Sequence, residues 1–359
     1  MLVQEYLKTK SLEDLTAELG IQVRRHTKYL NLVGLCYWNV TSPHYHPIVT
    51  ECRGLILDEA NDWNVVAYPF DRFYNYGESC ATEIDFDNAI AYKKLDGSLI
   101  IMYYYNDEWL VATTGSPDAG GNILDYDVTF AELAWTVFMQ EHYKLSDLDV
   151  NYTYMFELCT PFNKVVVPHS SNALTLLGVR NNTTLLEESL AQPKFHDAFN
   201  LVDYLEYGST IDEIKDDLVK LDGLHNEGYV IVEWLTFKRV KLKHDDYVKL
   251  HRVKFNTTKR DILELVRTGE GNEFISYFPE FSSIYNNYLT KYNKLCELIE
   301  HDLNEFAKIT DKKQFAIAIS NIKWKAILFS IRDGHSNSVS EALSKLLLKN
   351  FEELMELCK

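Results

Sequence analysis

The sequence predicts an α+β fold in which antiparallel sheets with flanking helices are followed by an all-α C-terminal domain. Short runs rich in Val, Ile, Tyr and Phe, separated by turn residues, extend from Tyr29 to about Val232 and indicate strands. From Asp261 onward the chain has three Gly and one Pro, and its apolar residues recur every three or four positions, as on one face of a helix. We therefore expect one domain over residues 1–257 and a second over 258–359.

The first predicted element is a short helix that starts after Ser11 and stops at Gly20, because Ser caps helix starts and Gly is favoured just past helix ends. The predicted strands are Gly54–Leu57, Ile90–Lys94, Leu99–Tyr105, Leu110–Thr114, Tyr152–Leu158, Thr175–Val179, Tyr229–Val232 and Val240–Lys243. The predicted helices between them are Thr129–Glu141 and Ser209–Lys220. Strands and helices without strict alternation are typical of an α+β domain.

Two helical faces are predicted in the C-terminal domain. One comprises Ile284, Tyr288, Tyr292, Leu295, Ile299, Leu303 and Phe306. The other comprises Leu343, Leu347, Phe351, Leu354 and Cys358. Residues 181–225 have an acidic, mixed composition that fits either a helix pair or an irregular insertion.

The distribution of charge indicates a localised anion-binding site. The net charge of −17 alone argues against a nucleic-acid binder, because phosphates attract Lys and Arg. Between Lys238 and Arg260, however, nine Lys or Arg accompany only two acids, so this window is +7 and the rest of the chain is −24. The alternative interpretation is a solvated charged strand and helix start.

Composition also predicts where the protein works. No run of about 18 apolar residues is present, and the first ten residues lack the pattern of a signal peptide, so we expect no membrane contact. The six cysteines lack metal-type or disulfide-type spacing, which favours a reduced cytoplasm. No feature predicts an oligomer, and we expect a cytoplasmic monomer.

The stretch Lys93–Ser98, between two predicted strands, is the most informative motif. Asp-Gly between apolar runs is a common hairpin signal, which is the structural alternative. A Lys at a strand end can also direct its amine into a cleft, where neighbouring cations and partial burial favour the uncharged, nucleophilic form. Attack of Lys94 on the α-phosphorus of ATP would form lysyl-AMP and release pyrophosphate.

That chemistry requires cations for the phosphates and acids for the ribose and Mg²⁺. The sequence has them in Glu51–Gly54, Arg72–Asn75, Gly115–Ser116, Phe156–Glu157, Glu227–Val230 and Lys241–Lys243. The alternation of a strand places Lys241 and Lys243 on one face. Each motif also has a structural alternative, such as a strand start for Glu227 or the solvent face of an edge strand for the two lysines.

The order and spacing of these motifs resemble the covalent nucleotidyltransferase superfamily of DNA ligases, RNA ligases and mRNA capping enzymes. The match is closest to the RNA ligase 1 family of tailed bacteriophages and covers about residues 50–251. The resemblance implies a nucleotidyltransferase (ATP-grasp-like ligase) domain over 1–257. It also implies that the helical domain over 258–359 selects the RNA substrate.

The resemblance implies catalytic roles for Lys94, Asp96, Glu227, Lys241 and Lys243. Lys94 would be the adenylylated nucleophile, and Asp96 would orient it together with a metal-bound water. Glu227 would act on the metal through water, with Asp96 as a second candidate for the metal. Lys241 and Lys243 would hold the α-phosphate, and Lys241 would also make Lys94 easier to deprotonate.

The remaining nucleotide-binding residues implied by the resemblance are Tyr37, Arg53, Arg72, Gly97 and Glu157. Arg53 would contact the leaving or acceptor phosphate, Arg72 would lie near the triphosphate, and Glu157 would hold the ribose hydroxyl. Tyr37 would contact adenine or phosphate.

Two further residues are predicted at the RNA or phosphate end of the site. Tyr247 is a second candidate for adenine or phosphate contact. Thr114 stands where the family usually has a Lys, just before Gly115–Ser116. The missing cation would weaken binding of the triphosphate or of the RNA 5′-phosphate, and would affect ligation more than self-adenylylation.

The resemblance thus implies an ATP-dependent RNA ligase that joins 5′-phosphate and 3′-hydroxyl ends in RNA or tRNA repair. Its cofactors would be ATP and Mg²⁺ or Mn²⁺, and its partner single-stranded RNA ends, for example of a cleaved tRNA, in the host cytoplasm if a phage encodes it. The alternatives are a DNA ligase, a capping enzyme, or a nucleotide- or RNA-binding module with altered catalysis. Helices after Lys243 favour the RNA ligase, because DNA ligases and capping enzymes typically continue into a five-stranded OB-fold.

Overall fold

The structure, a computed structural model, describes residues 1–123, 127–163, 165–205, 208–223, 225–254, 258–277 and 281–358. It divides into two compact units. The first is Met1–Trp38 with Ser42–Lys254, and the second is Asn39–Thr41 with Phe255–Lys359. The predicted boundary after residue 257 falls beside residues 255–257, which lie outside the described ranges.

The strands all belong to the first unit. They are β1 (Gln22–Arg25), β2 (Leu32–Cys36), β3 (Arg53–Asp58), β4 (Asn64–Ala67), β5 (Tyr74–Asn75), β6 (Ala89–Lys94), β7 (Ser98–Tyr105), β8 (Glu108–Ala112), β9 (Tyr152–Cys159), β10 (Ala173–Asn181), β11 (Glu187–Glu188), β12 (Gly228–Glu233) and β13 (Arg239–Lys243). Every predicted strand lies within an observed one except Leu110–Thr114. That prediction was wrong at its end, because the strand stops at Ala112 and Thr113–Ser116 form a turn.

The helices of the first unit are α1 (Leu2–Leu7), α2 (Leu12–Leu19), α3 (Pro47–Glu51), α4 (Phe130–Gln140), α5 (Pro193–His196), α6 (Ile211–Lys220) and α7 (Asp245–Lys254). The predicted helix stop and start signals are confirmed in α2, which begins after Ser11 and ends at Gly20. In α4, Thr129 accepts a hydrogen bond from the backbone of Glu132, as a helix-capping threonine does.

The strands form three sheets, which confirms the predicted antiparallel architecture with one exception. The first sheet has the order β1-β2-β3-β4, the second β11-β10-β9-β7-β8, and the third β5-β13-β12-β6. All pairs are antiparallel except β5 with β13. The second sheet packs one face on α4 around buried aromatic residues that include Phe138, Tyr154 and Phe156. Its other face packs partly on the first sheet, through Ile101 and Tyr103, and elsewhere borders a cavity, through Leu99 and Glu157.

The second unit is helical in its described residues, as predicted. Its helices are α8 (Lys259–Thr268), α9 (Gly271–Tyr277), α10 (Ser282–Phe306), α11 (Lys312–Ala318), α12 (Lys325–Arg332), α13 (Val339–Ser344) and α14 (Leu348–Met355). The stretch from Ile284 to Phe306 is confirmed as the single helix α10, with Tyr292, Leu295 and Ile299 buried as predicted. The prediction was wrong at its start, where Ile284 is exposed and Tyr285 is buried instead.

The prediction of one helical face from Leu343 to Cys358 was wrong. The helix breaks between α13 and α14, and Leu347 is the N-cap residue before α14, with its side chain exposed. The buried Leu343 and Phe351 consequently lie on different helices. None of the helices in the described ranges combines the length and apolarity that crossing a bilayer requires.

Candidate active site

The third sheet brings the predicted lysines together on one face. Along β13, alternation places Arg239, Lys241 and Lys243 on the same side. Across the sheet, Lys94 of β6 and Lys243 of β13 both pair with Gly228 of β12 in the strand register. Gly228 has a φ of +144°, and a Cβ there would lie 2.1 Å from the Leu242 carbonyl oxygen, so this close strand pairing requires glycine.

A buried carboxylate joins these two lysines. Glu227 precedes Gly228 and is only 3% exposed. One of its oxygens, Oε2, lies 2.6 Å from Lys94 Nζ, and the other, Oε1, lies 3.3 Å from Lys243 Nζ. The three side chains form a compact ionic cluster at the end of the strands.

A cavity of about 350 Å³ lies between the second and third sheets and reaches this cluster. The predicted site residues that line it are Tyr37, Arg53, Lys94, Gly97, Glu157, Lys241 and Lys243. Its apolar floor and walls come from residues such as Tyr92, Val230 and Leu177. A cavity with convergent charged groups at one end and apolar walls at the other suits a ligand with an ionic part and an apolar part.

Glu157 faces the Lys94 end of the cavity from the second sheet. Its carboxylate accepts a hydrogen bond of 3.0 Å from the Gly97 backbone N–H. A Cβ at Gly97 would lie 2.4 Å from the Leu158 carbonyl oxygen, so this close approach requires glycine. Burial raises the pKa of Glu157 to about 7, the positive charge of Lys94 opposes that rise, and Glu227 reinforces it.

Arg53 is the cavity cation with an unsatisfied donor. Its Nη1 atom is buried and makes no hydrogen bond with any described residue. The guanidinium carbon lies 5.3 Å from the centre of the Phe73 ring. Since an unpaired buried N–H is costly, the position fits an anionic ligand group that would accept from it.

Asp96 and Tyr247 lie behind the cavity wall instead of lining it. Asp96 is buried, and its Oδ2 accepts from the Val166 and Val167 backbone at 2.7 and 2.6 Å. Its Oδ1 accepts from the Tyr247 hydroxyl at 2.9 Å. Asp96 makes no hydrogen bond to Lys94 among the described residues, so these contacts anchor the turn after Lys94.

Two other predicted residues are also outside the cavity lining. Arg72 is buried and stacks its guanidinium 4.0 Å from the centre of the Tyr37 ring, so it supports a cavity residue from behind. Thr114 lines a separate, smaller crevice on the first sheet. Glu227 reaches the cavity through its contacts with Lys94 and Lys243.

Sequence reasoning missed an ion pair that crosses the cavity. Arg239 of β13 and Glu187 of β11 both line it and form two hydrogen bonds of 2.9 and 2.6 Å. Glu187 also pairs with the buried Arg180 at 2.8 Å. The alternation that identified Lys241 and Lys243 could also have identified Arg239. Glu187 could not have been found this way, because a two-residue strand such as β11 gives no periodic pattern.

The carboxylates allow a test of whether a divalent metal ion fits. Hard cations take oxygen ligands, and Glu227 and Glu157 present theirs at the Lys94 end of the cavity. Both oxygens of Asp96 are already hydrogen-bonded. Within the described ranges, the oxygens of Glu227 are paired with the side chains of Lys94 and Lys243 and not with backbone donors, so a metal ion held through water fits beside Glu157 and Glu227.

Comparisons with known proteins identify the family of this chain. A family model described as RNA ligase matches residues 51–256. A protein of Autographa californica nuclear polyhedrosis virus described as a bifunctional polynucleotide kinase/RNA ligase is 27% identical over 368 residues, covering 96% of this chain and 51% of the viral protein. The chain thus spans about half the length of that relative. An RNA ligase of Rhodothermus phage RM378 is 26% identical over 386 residues, covering 84% of this chain and 85% of the phage protein.

Two solved structures are also similar. An RNA ligase of Naegleria gruberi, solved with ATP and Mn, has a TM-score of 0.35 and 16% identity over 46% of this chain and 52% of that one. A protein of Aquifex aeolicus described as an ATP-dependent DNA ligase has a TM-score of 0.48 and 13% identity over 89% of this chain and 87% of that one.

Proposed function

Because this chain belongs to the RNA ligase family whose model matches residues 51–256, we propose that it is an ATP-dependent RNA ligase acting through Lys94. The observation that carries this proposal is the meeting of Lys94, Glu227 and Lys243 at one end of a cavity that also contains Glu157, Arg53 and Lys241. The substrate would be RNA with a 5′-phosphate and a 3′-hydroxyl end, such as a cleaved tRNA.

The first step would use the amine of Lys94 as the nucleophile. Its Nζ loses a proton and forms a bond to the α-phosphorus of ATP as the bond to pyrophosphate breaks. Glu227 would accept this proton, since it already accepts the Lys94 hydrogen bond at 2.6 Å. Lys241 and Lys243 would stabilise charge on the α-phosphate, and Glu157 would hold the ribose.

The next two steps would transfer the activated nucleotide. The RNA 5′-phosphate attacks the lysyl-AMP phosphorus and releases Lys94, which gives a 5′–5′ pyrophosphate. The 3′-hydroxyl then attacks the RNA phosphorus of that linkage, loses its proton, and displaces AMP. Each step is a phosphoryl or nucleotidyl transfer, so catalysis depends mainly on positioning and on charge stabilisation.

A divalent metal ion, Mg²⁺ or Mn²⁺, would be held from Glu227 and would neutralise phosphate charge when bound. The contacts of Asp96 favour a positioning role for this residue, through the turn that carries Lys94. Arg53, with its unsatisfied Nη1, is the candidate for the leaving or acceptor phosphate. Tyr37 would form the outer wall, supported by Arg72.

A direct comparison of substrates tests the assignment. Circularisation of a 5′-phosphorylated single-stranded RNA is expected, with little sealing of nicked DNA and no transfer of a nucleotide to a 5′-diphosphate RNA end. Covalent labelling by ATP followed by efficient sealing of nicked DNA alone would point to a DNA ligase. The chain continues after Lys243 into helices α7 and α8, not into the strands of an OB-fold. This supports RNA as the substrate.

A further inference from the structure

The crevice that contains Thr114 lies on one face of the first sheet. It is lined by Gln22, Arg24, Gly34, Cys36, Gly54, Ile56, Thr113, Thr114, Gly115, Ser116 and Pro117. Its volume of about 10 Å³ is that of one water, so the turn at 113–117 is packed almost directly on the strands. Arg53, which lines the ATP cavity, precedes Gly54 of this crevice in β3.

Two glycines allow the turn to lie there. A Cβ at Gly54 would lie 2.8 Å from Thr114 Cα, and Gly54 has a φ of +84°, which favours glycine. A Cβ at Gly34 would lie 3.2 Å from the Pro117 side chain. The backbone of the turn can therefore lie close to β2 and β3, because neither glycine has a side chain beneath it.

A positive charge lies beside this turn although residue 114 is not a lysine, because Arg24 lines the same crevice. Arg24 of β1 pairs with Gly34 in the register and is exposed, and its side chain has no hydrogen bond or ion pair with the described residues. Burial raises the pKa of the neighbouring Cys36 thiol, and the charges of Arg53, Arg24 and Arg72 all oppose that rise. Three guanidinium groups thus act electrostatically on one point of the sheet.

The acid that follows the turn is already engaged. Asp118 accepts hydrogen bonds from the Thr27 backbone at 3.1 Å, the Ser116 hydroxyl at 2.6 Å and the Gly120 backbone at 3.2 Å. Among the described residues it forms no ion pair with Arg24. The Arg24 guanidinium is therefore available to an external anion.

We propose that Arg24, together with Arg53 and the Thr113–Pro117 turn, binds phosphates of the 5′-phosphorylated RNA strand. Arg24 would supply from β1 the positive charge that the resembled family places at position 114. A guanidinium suits this task because its donors can engage a phosphate in pairs. Since Arg53 also lines the cavity of Lys94, a strand bound along the two arginines would direct its 5′ end to the nucleophile. This inference rests on the proposed function.

Arg24→Gln and Arg25→Gln form a matched pair for the test. The two residues are neighbours in β1, but Arg25 is paired with Glu59 at 2.5 Å and donates to the Leu30 carbonyl at 2.8 Å. We would measure lysyl-AMP formation with labelled ATP, then AMP transfer to a 5′-phosphorylated 20-nucleotide RNA, and RNA binding by fluorescence anisotropy.

For Arg24→Gln we expect about a tenfold higher KM and Kd for the RNA, with lysyl-AMP formation changed by less than about twofold. The slope of log Kd against log salt should fall by about 0.7, as for one lost phosphate contact on a single strand. Arg25→Gln should match the wild type. Adding Thr114→Lys to Arg24→Gln should restore most of the lost affinity.

Equal RNA affinities of Arg24→Gln and Arg25→Gln would overturn the inference. So would an Arg24→Gln variant whose rate of lysyl-AMP formation falls as much as its rate of AMP transfer to RNA. Failure of the proposed function has a different signature, which is the absence of lysyl-AMP in the wild type. The anisotropy measurement reports on Arg24 in either case.

Discussion

Lys94 Nζ donates a hydrogen bond to Glu227 Oε2 at 2.6 Å, while Oε1 of the same carboxylate lies 3.3 Å from Lys243 Nζ. This carboxylate is only 3% exposed, so the two amines share one buried counter-charge. Glu227 thus contacts the proposed nucleophile, and under the proposed mechanism it would also hold the metal ion.

Glu227→Gln should slow lysyl-AMP formation by about 100-fold or more. The amide keeps the shape of the side chain but loses the charge that would hold the metal and accept the Lys94 proton. The rate of incorporation of labelled AMP measures this effect. Thermal unfolding should show that the variant is folded, and a rate within about threefold of the wild type would remove Glu227 from the mechanism.

Asp96 and Tyr247 should be coupled in stability. Tyr247→Phe removes one hydrogen bond to a buried carboxylate and should cost about 1–2 kcal/mol in the free energy of unfolding. Asp96→Asn also perturbs the Val166 and Val167 contacts and should cost about 2–3 kcal/mol. Urea unfolding of both single variants and the double variant gives the coupling energy. Strict additivity would contradict the direct contact.

The parts of the site that the sequence could predict are those with a local pattern. Alternation along β13 predicted that Lys241 and Lys243 share a face, and the turn after Lys94 was visible in Asp96–Gly97. The direction of the Asp96 side chain could not be predicted, because its partner Tyr247 is distant in the chain.

Residues 181–225 illustrate the same limit. Their composition allowed a helix pair or an irregular insertion, and the described part contains the short strand β11 with helices α5 and α6. Glu187 of β11 forms its ion pair with Arg239, which lies on a different sheet. Its assignment required the three-dimensional arrangement, since no local pattern marks a contact of that separation.

Glu187→Gln should lower the free energy of unfolding by about 3–5 kcal/mol, because it leaves the buried Arg239 without its countercharge and the buried Arg180 with only Asp71, at 3.3 Å. The neighbouring Glu188 accepts hydrogen bonds from Tyr152 and Gln192, which are uncharged, so Glu188→Gln should cost only about 1 kcal/mol. Chemical unfolding of both variants makes the comparison. Equal losses would show that the ion pair across the cavity does not stabilise the fold.

Glu157 should make stability depend on pH. Folding raises its pKa from 4.5 to about 7, mainly through burial, so between these values the folded protein keeps a proton that the unfolded chain has released. Its contribution to the free energy of unfolding is thus largest below pH 4.5 and falls as pH rises through about 7.

The matched variant is Glu157→Gln, which cannot ionise. The stability of the wild type minus that of Glu157→Gln should decrease by about 2 kcal/mol as pH is raised from about 5 to about 8. Urea unfolding across this range measures the difference. A constant difference, or one that increases with pH, would contradict the raised pKa.

Mapping the covalent adduct tests the central claim most directly. The protein is incubated with ATP and Mg²⁺, digested under conditions that preserve the phosphoramidate, and examined by tandem mass spectrometry. Lys93 serves as an internal control. Its Nζ lies 2.9 Å from Asp203 Oδ2, and in the strand register it is opposite Tyr229, whereas Lys94 is opposite Gly228, the residue after Glu227. We predict AMP on Lys94 and no adduct in Lys94→Ala. AMP on Lys93 or on any other residue, or an adduct that persists in Lys94→Ala, would contradict the account.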